Sequence, residues 1–251
     1  MKLSIAIPAH NEEAFITDAL RSLDAQEFSS ELEIIVCLNA CTDKTEEIVR
    51  AWATVSRWPM VIVHEPRKGV SWARQTAFMS ARGEIIASAD ADAHYPPRWA
   101  ARIVEAFAQD ANLVQIYGPV RLRDFAGPGR WFWKYAHPVM NDLFTLVGRW
   151  LGWHNVIGSN FAVRRSAFLA VGGFNTKLKA LEDHEITRRL RQLGTVRYDK
   201  RLVVYASARR YNRLGFWRTV LFYTRNALKA FVLKRETEDL ENVSEKPKET
   251  T

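Results

Sequence analysis

The feature that most restricts the fold of this chain is an alternation along its first 90 residues, in which short apolar runs are each followed by a stretch of helical periodicity. Leu3-Ser4-Ile5-Ala6-Ile7 precedes a pattern that puts Phe15, Ala19 and Leu23 on one face. Glu33-Ile34-Ile35-Val36-Cys37-Leu38 leads to Ile48, Val49 and Trp52. Met60-Val61-Ile62-Val63 leads to Val70, Ala73, Ala77 and Ala81, a face small enough for close packing on a sheet. That helix is expected to end at Gly83 as a C-cap, and residues 84–89 make a fourth strand. This βαβα order predicts an α/β fold, a mostly parallel Rossmann-like sheet flanked by helices.

Open α/β sheets bind ligands in the crevice beyond the carboxyl ends of their strands. The polar clusters of this chain fall there: residues 8–13, 39–43, 65–69 and Asp90-Ala91-Asp92. The last cluster has the clearest chemistry. Mg²⁺ and Mn²⁺ prefer oxygen ligands, take one or two protein carboxylates, and complete their shells with water and substrate phosphates. A lone Asp-x-Asp is more often a solvated acidic turn, but here it closes an ordered series.

Taken in order, residues 5–13, 39–45, Lys68-Gly69 and Asp90-Ala91-Asp92, followed by Gly158-Ser159-Asn160-Phe161-Ala162-Val163-Arg164-Arg165, Val171-Gly172-Gly173-Phe174 and Leu181-Glu182-Asp183-His184-Glu185, resemble the family 2 glycosyltransferases of GT-A fold. The resemblance covers about residues 1–210, and several weak motifs in sequence order are more specific than any one alone. It implies a nucleoside-diphosphate sugar as donor. Pro8, His10 and Asn11 would lie in the loop around base and ribose, with Glu13 a weaker candidate. Asn39 stands where the family often carries an Asp that accepts from the base, and Asp43 would contact base or ribose. Lys68 and Gly69 would approach base or phosphate, and Asn160 would position donor sugar or acceptor. Asp92 would ligate the metal, Mg²⁺ or Mn²⁺, and Asp90 would contact ribose, metal-bound water or both.

Asp183 resembles the family's catalytic base, with Glu182 beside it. A sugar hydroxyl becomes a competent nucleophile when a carboxylate within hydrogen-bond reach accepts its proton. The family's late histidine, which completes the metal shell, is missing from Val203-Val204-Tyr205-Ala206-Ser207-Ala208-Arg209-Arg210, where Arg209 or Arg210 would instead bind phosphate.

Several of these residues have a structural reading of equal simplicity. Asn11 and Asp43 suit helix N-caps, and Glu12 and Glu13 suit a first helical turn. Glu182 and Asp183 open a helical pattern with Ile186, Leu190 and Leu193 on one face, ending at Gly194. Asn160 fits a polar turn entering a strand. Arg74, one turn beyond Lys68, and His94, close after Asp92, are further candidates for polar contact with the donor, though Arg74 reads more simply as a solvated helix residue and His94 as a loop histidine.

At 251 residues the chain can bury one large core, and the expected domain spans 1–235, with a nucleotide-sugar half at 1–118 and an acceptor half at 119–235. Residues 236–251, rich in Glu, Lys and Thr, are expected to be a disordered polar tail. No run approaches the roughly 18 to 20 apolar residues that span a bilayer. A first strand at Leu3 leaves no room for a signal peptide, which with reduced Cys37 and Cys41 predicts a cytoplasmic protein.

The net charge of +8 calls for an anionic partner. The basic residues form no compact block and no nucleic-acid motif is present, so nucleic acid is not expected. Residues 130–153 interleave Trp131, Phe132, Trp133, Tyr135, Phe144, Trp150 and Trp153 with Lys134 and Arg149. Residues 216–233 predict a C-terminal amphipathic helix with Arg218, Arg225 and Lys229 on one face. Such segments suit an anionic membrane surface or packing on the core.

The expected reaction is metal-assisted transfer, with inversion, of a sugar to a lipid-linked or saccharide hydroxyl. The alternatives are a sugar nucleotidyltransferase, against which stands the lack of a Gly-rich phosphate loop after the first strand, and a catalytically silent scaffold.

Overall fold

A computed structural model describes residues 2–124, 130–150, 154–215, 218, 221–222 and 225–226. The side chains of Trp131, Phe132, Trp133, Lys134, Phe144, Arg149 and Arg210, residue Trp153, the greater part of 216–233 and the tail 236–251 lie outside the described residues.

The alternation produces the expected series: β1 (Leu3–Ala9), α1 (Ile16–Asp24), β2 (Leu32–Asn39), α2 (Thr45–Ala53), β3 (Met60–Glu65), α3 (Val70–Met79) and β4 (Ile85–Ser88). The second half adds β5 (Ala93–His94), α4 (Trp99–Gln109), β6 (Leu113–Tyr117), β7 (Val120–Arg123), α5 (Arg130–Trp150), β8 (Phe161–Arg164), α6 (Arg165–Ala170), α7 (Glu182–Leu190), β9 (Thr195–Tyr198), β10 (Val204–Ser207) and α8 (Arg209–Leu214). A sheet of seven strands runs β3-β2-β1-β4-β8-β6-β9. Its first four are parallel, and β8 lies antiparallel to both β4 and β6. A smaller sheet, β5-β10-β7, sits beside it.

Strand side chains alternate between faces, and β1 divides accordingly. Leu3, Ile5, Ile7 and Ala9 join a core with Ile16, Leu20 and Leu23 of α1, Val49 of α2, and Ile103 and Phe107 of α4. Ala6 faces the other way, with Ile35, Cys37, Ala73, Ala77 and Phe78, and with Phe168, Ile186 and Leu190 of α6 and α7. On that second face Phe78 meets Phe168, Phe174 and Phe161 at ring-centroid distances of 5.1, 4.9 and 6.0 Å. Such ring pairs add about 0.5 to 1.5 kcal/mol each beyond buried area, and they pin the segment after α6 to α3.

Three local expectations change, one of them at α7, which stops at Leu190 and leaves Leu193 half-exposed in the turn beyond it rather than on the buried helical face. The third helix stops at Met79, where Ser80 Oγ donates to the Thr76 carbonyl, and Gly83 instead donates its N–H to Ser4 Oγ on the neighbouring strand. Phe15 precedes α1 rather than lying on its buried face, which is made by Ile16, Ala19, Leu20 and Leu23. Pro8, within β1, is tolerated because β1 pairs with β4 only through Ala6, so the missing N–H falls where that ladder has ended.

Candidate functional site

The carboxyl ends of β1 to β4 form one polar edge whose loops are bound to each other. Asn11 accepts from Thr42 N at 2.8 Å and donates to Thr42 Oγ1 at 3.1 Å. Glu12 N donates to Thr45 Oγ1 at 2.7 Å, Glu13 N to Asp43 Oδ2 at 3.1 Å, and Lys44 N to Glu13 Oε2 at 3.0 Å. His10 Nδ1 donates to the Asn39 carbonyl at 2.5 Å. Asp43 also accepts from Thr45 N and Oγ1, so it ties the first loop to the start of α2. Against a desolvation cost, the Thr45 and Glu13 donors hold its carboxyl below the usual range.

Asn39 has a structural task. Its amide nitrogen donates to the carbonyls of Glu65 and Arg67, both at 2.8 Å, and its oxygen accepts from Gly69 N at 2.9 Å. A carboxylate has no hydrogen to offer two carbonyls, which accounts for an amide here. Glu65 grips the same loop through a two-pronged bond to Arg67 and a bond from Thr76. The Arg67 guanidinium, set against desolvation, brings Glu65 down to about 2. Lys68 is exposed at the tip of this loop, and Gly69 enters α3 with φ of 142°.

The deepest element of the site is Arg74, buried on α3 rather than solvated. It donates from Nη2 to Asp90 Oδ1 at 2.6 Å and from Nη1 to Glu182 Oε1. Gly158 makes room for it, because a Cβ there would lie 2.1 Å from Nη1. Asp90 is further fixed by its N–H, which donates to Tyr95 Oη at 2.7 Å. Glu182 and Asp183 begin α7, and Leu181 just before them has a left-handed backbone, φ 66°. A non-glycine residue in that region is strained by about 1 to 3 kcal/mol and is held by its surroundings. Burial pushes the Glu182 carboxyl above the usual range, opposed by Arg74. Asp183 is half-buried, with Oδ1 accepting from His184 N at 2.8 Å.

Asn160 is fully buried among structural partners. It accepts from Trp99 Nε1 and donates to the carbonyls of Pro119 and Leu202, so it joins β8 to the segments flanking β7 and β10. Asp92 accepts from Arg209, whose guanidinium also pairs with Glu12. His94 is exposed on β5. Cys37 is buried, its thiol pushed up to about 12 by desolvation, and Cys41 bonds the Ala9 carbonyl, neither with a chemical task.

Sequence reasoning gathers these loops at one edge, but it reads Arg74 as most simply solvated, keeps Glu12 as a first-turn residue of a helix, and gives Tyr95 and Thr45 no part there. The signal for Arg74 was its place one turn into a helix of small residues, a face otherwise made for burial. The residues expected to hold Mg²⁺ or Mn²⁺, Asp90 and Asp92, each already face a guanidinium. Among the described residues no group of three or more His, Cys, Asp or Glu side chains is arranged to hold a metal ion. With Asp90 paired to Arg74 and Asp92 to Arg209, the two carboxylates do not fit the ion as they stand.

Residues 4–172 match the model of glycosyl transferase family 2, and the chain belongs to that family. It is 30% identical over 201 residues to the probable glycosyltransferase YdaM of Bacillus subtilis, covering 77% of this chain and 47% of that protein. It is 23% identical over 188 residues to the glucosyl-dolichyl phosphate glucuronosyltransferase of Haloferax volcanii, covering 70% of this chain and 56% of the relative. It thus spans about half the length of these curated relatives.

The fold is shared with the mannosyltransferase PcManGT of Pyrobaculum calidifontis, solved with GDP-Man and Mn²⁺. That likeness has a TM-score of 0.66 at 24% identity and covers 89% of this chain and 63% of the other. It is shared also with Staphylococcus aureus TarS 1-349 in complex with UDP-GlcNAc, with a TM-score of 0.67 at 18% identity, covering 96% and 69%. These are GT-A glycosyltransferases, the fold expected above.

Proposed function

We propose that this chain is an inverting glycosyltransferase that moves a sugar from a nucleoside-diphosphate donor to an acceptor hydroxyl, with Asp183 as general base. The observation that carries the reading is the bridge made by Arg74. It ties Asp90, at the strand edge where open α/β sheets receive ligands, to Glu182, the neighbour of Asp183. Donor-side and acceptor-side carboxylates thereby share one buried cation, and Asp183 stands at a helix start beside them.

The nucleotide would lie over the loops that carry Pro8, His10, Asn11, Glu13, Asp43, Lys68 and Gly69. Asn39 acts beneath them by holding the third loop, and Asn160 acts as a brace. Asp183 accepts the acceptor proton as the new C–O bond forms on the face of the sugar carbon opposite the departing diphosphate. A sugar carbon of oxocarbenium character attacked in line emerges with inverted configuration. The PcManGT complex holds Mn²⁺; in this chain Asp90 and Asp92, the residues expected to hold such an ion, are paired with Arg74 and Arg209 instead.

For the acceptor, a lipid-linked hydroxyl is supported by α5. Its Tyr135, Val139, Met140, Leu143, Leu146, Val147 and Trp150 are all exposed, and they fall on one side of the helix. Together with the net charge of +8, this face suits peripheral attachment to an anionic membrane. No helix among the described residues is long and apolar enough to cross one. A place at the cytoplasmic side of a membrane belongs to the same proposal, and the free thiols of Cys37 and Cys41 support it.

The test is turnover of a panel of UDP, GDP, CDP and dTDP sugars by wild type and Asp183→Asn. Wild type should release one nucleoside diphosphate, and the variant should lose about 10²- to 10⁴-fold in kcat with nucleotide affinity retained. Full activity in Asp183→Asn would remove the base assignment, and failure to turn over or bind any nucleotide would leave the scaffold reading.

A further inference from the structure

Asp92, the residue expected to hold a divalent cation, is held by a cation that belongs to the chain. Arg209 Nε lies 2.9 Å from Asp92 Oδ2. The same guanidinium donates to Glu12 from Nη1 at 2.7 Å and from Nη2 to the other carboxylate oxygen. Its central carbon sits 4.6 Å from the centre of the Phe15 ring, a distance at which the ring face attracts a cation.

Three separate elements build this arrangement. Glu12 and Phe15 follow β1, Asp92 lies between β4 and β5, and Arg209 begins α8. The small sheet sets the spacing: β10 pairs with β5, Ser207 N donates to the Asp92 carbonyl at 3.1 Å, and Arg209 N donates to Ser207 Oγ at 3.3 Å. The side chains of Glu12 and Asp92 are 12% and 14% exposed and that of Arg209 is 32% exposed, so the cluster is sheltered yet open to a ligand at the strand edge.

Building on the transferase reading, we infer that Arg209 is the cation that meets the departing diphosphate, and that nucleotide binding and transfer in this chain need no divalent ion. In the step itself the acceptor O–H proton passes to Asp183. The acceptor oxygen bonds the anomeric carbon, the bond from that carbon to the diphosphate oxygen breaks, and its electron pair remains on the diphosphate. Arg209 offers the charge collecting there a planar fork of N–H donors, which matches phosphate oxygens in pairs. Asp92 orients the guanidinium through Nε, and Glu12 holds its two terminal nitrogens until phosphate oxygens take them. An ion on Asp92 Oδ2 would have to displace Arg209 Nε and then sit beside a guanidinium still held by Glu12, a like-charge contact in a sheltered site. Exchange of Glu12 for a phosphate oxygen keeps Arg209 paired throughout.

The experiment is calorimetric titration of UDP, GDP, CDP and dTDP, and of the matching monophosphates, into wild type, Arg209→Ala, Arg209→Lys and Arg209→His. Each is measured in EDTA and then in Mn²⁺, with folding checked by thermal melting. Mn²⁺ binding is followed separately by electron paramagnetic resonance. Wild type should bind one diphosphate equally in EDTA and in Mn²⁺. Arg209→Ala should lose about 10- to 100-fold for the diphosphate and little for the monophosphate, with Arg209→Lys between them. Arg209→His, which sets an imidazole beside Glu12 and Asp92, should gain Mn²⁺ binding that wild type lacks.

Diphosphate binding by wild type that vanishes in EDTA would overturn this inference while leaving the transferase reading intact. Should no nucleotide bind under either condition, both fall. The wild-type comparison stands even if a variant fails to fold.

Discussion

The strand edge around Asp90 and the outer face of α5 are organised in opposite ways. At the edge, Asn11, Asp43, Asn39, Glu65, Asp90 and Arg74 are all bound to neighbouring loops. On α5, large apolar side chains from Val139 to Trp150 are exposed, Trp150 at 85%. Preorganised polar groups hold their geometry before a ligand arrives, so little reorganisation is needed when charge develops. A contiguous apolar face on a protein surface marks a place where something else is buried. The polar edge is thus braced by its own hydrogen bonds before any ligand arrives, whereas the described apolar side chains of α5 stay exposed, and the proposed donor site and membrane face rest on these two regions.

That contrast is broken most severely by removing the cation at the deepest point. Arg74→Ala leaves Glu182 buried beside Asp90 and Asp183 with no countercharge. Loss of one partner from a buried pair costs about 3 to 5 kcal/mol, which thermal melting would show as a large fall in Tm. Gly158→Ala should act in the same direction, since its Cβ would strike Arg74 Nη1. Unchanged stability in both would mean that Arg74 does not bridge the two carboxylates.

Next in size is Asn39→Asp. It sets a carboxylate against the carbonyls of Glu65 and Arg67, a loss of about 2 kcal/mol for buried groups left without donors. Urea titration should show the loss above pH 5 and a partial recovery on acidification, when the carboxyl can donate. An Asp variant as stable as wild type at neutral pH would show that the amide does not clamp the loop.

Glu65 gives a comparable effect through pH. Its carboxyl is held at about 2 against an ordinary 4.5, so its charged form stabilises the fold. The contribution is complete above the unfolded value and fades as pH falls from about 4.5 towards 2. It is on the order of 3 kcal/mol, less what solvent screening at the exposed Arg67 guanidinium removes. Wild type should lose more stability than Glu65→Gln between pH 5 and pH 3, and parallel curves for the two proteins would contradict the pairing with Arg67.

The smallest effect on stability belongs to the other region. Leu143→Glu with Leu146→Glu, both on the exposed face, should change stability by no more than about 0.5 kcal/mol while abolishing co-sedimentation with anionic liposomes at low salt. A loss of several kcal/mol would mean that the face is packed after all, and unaltered co-sedimentation would place membrane contact elsewhere.

Much of this edge was legible from sequence because two periodicities and their interruptions coincide. Apolar runs give strands, and the polar residues directly after them must emerge at one end of a parallel sheet. What the pattern did not reveal is which polar residue faces ligand and which faces protein. Asn39 and Asn160 look like contacts to a ligand, but each spends both its donor and acceptor groups on backbone or tryptophan. Arg74 looks like a solvated residue because a helix surface is the usual place for arginine, and its partners are 16 and 108 residues away. The pairing of Arg209 with Glu12 spans 197 residues and depends on a three-stranded sheet of short strands, too brief for periodicity to announce.

The most direct test of the central claim, in-line displacement at a site shared by the Asp90 edge and Asp183, is the anomeric configuration of the transferred sugar. It would be read by proton NMR with the donor identified from the nucleotide panel. An α-linked donor should give a β-linked product, with the signal absent in Asp183→Asn. An α-linked product, or a β-linked product that forms as fast in Asp183→Asn, would contradict the account.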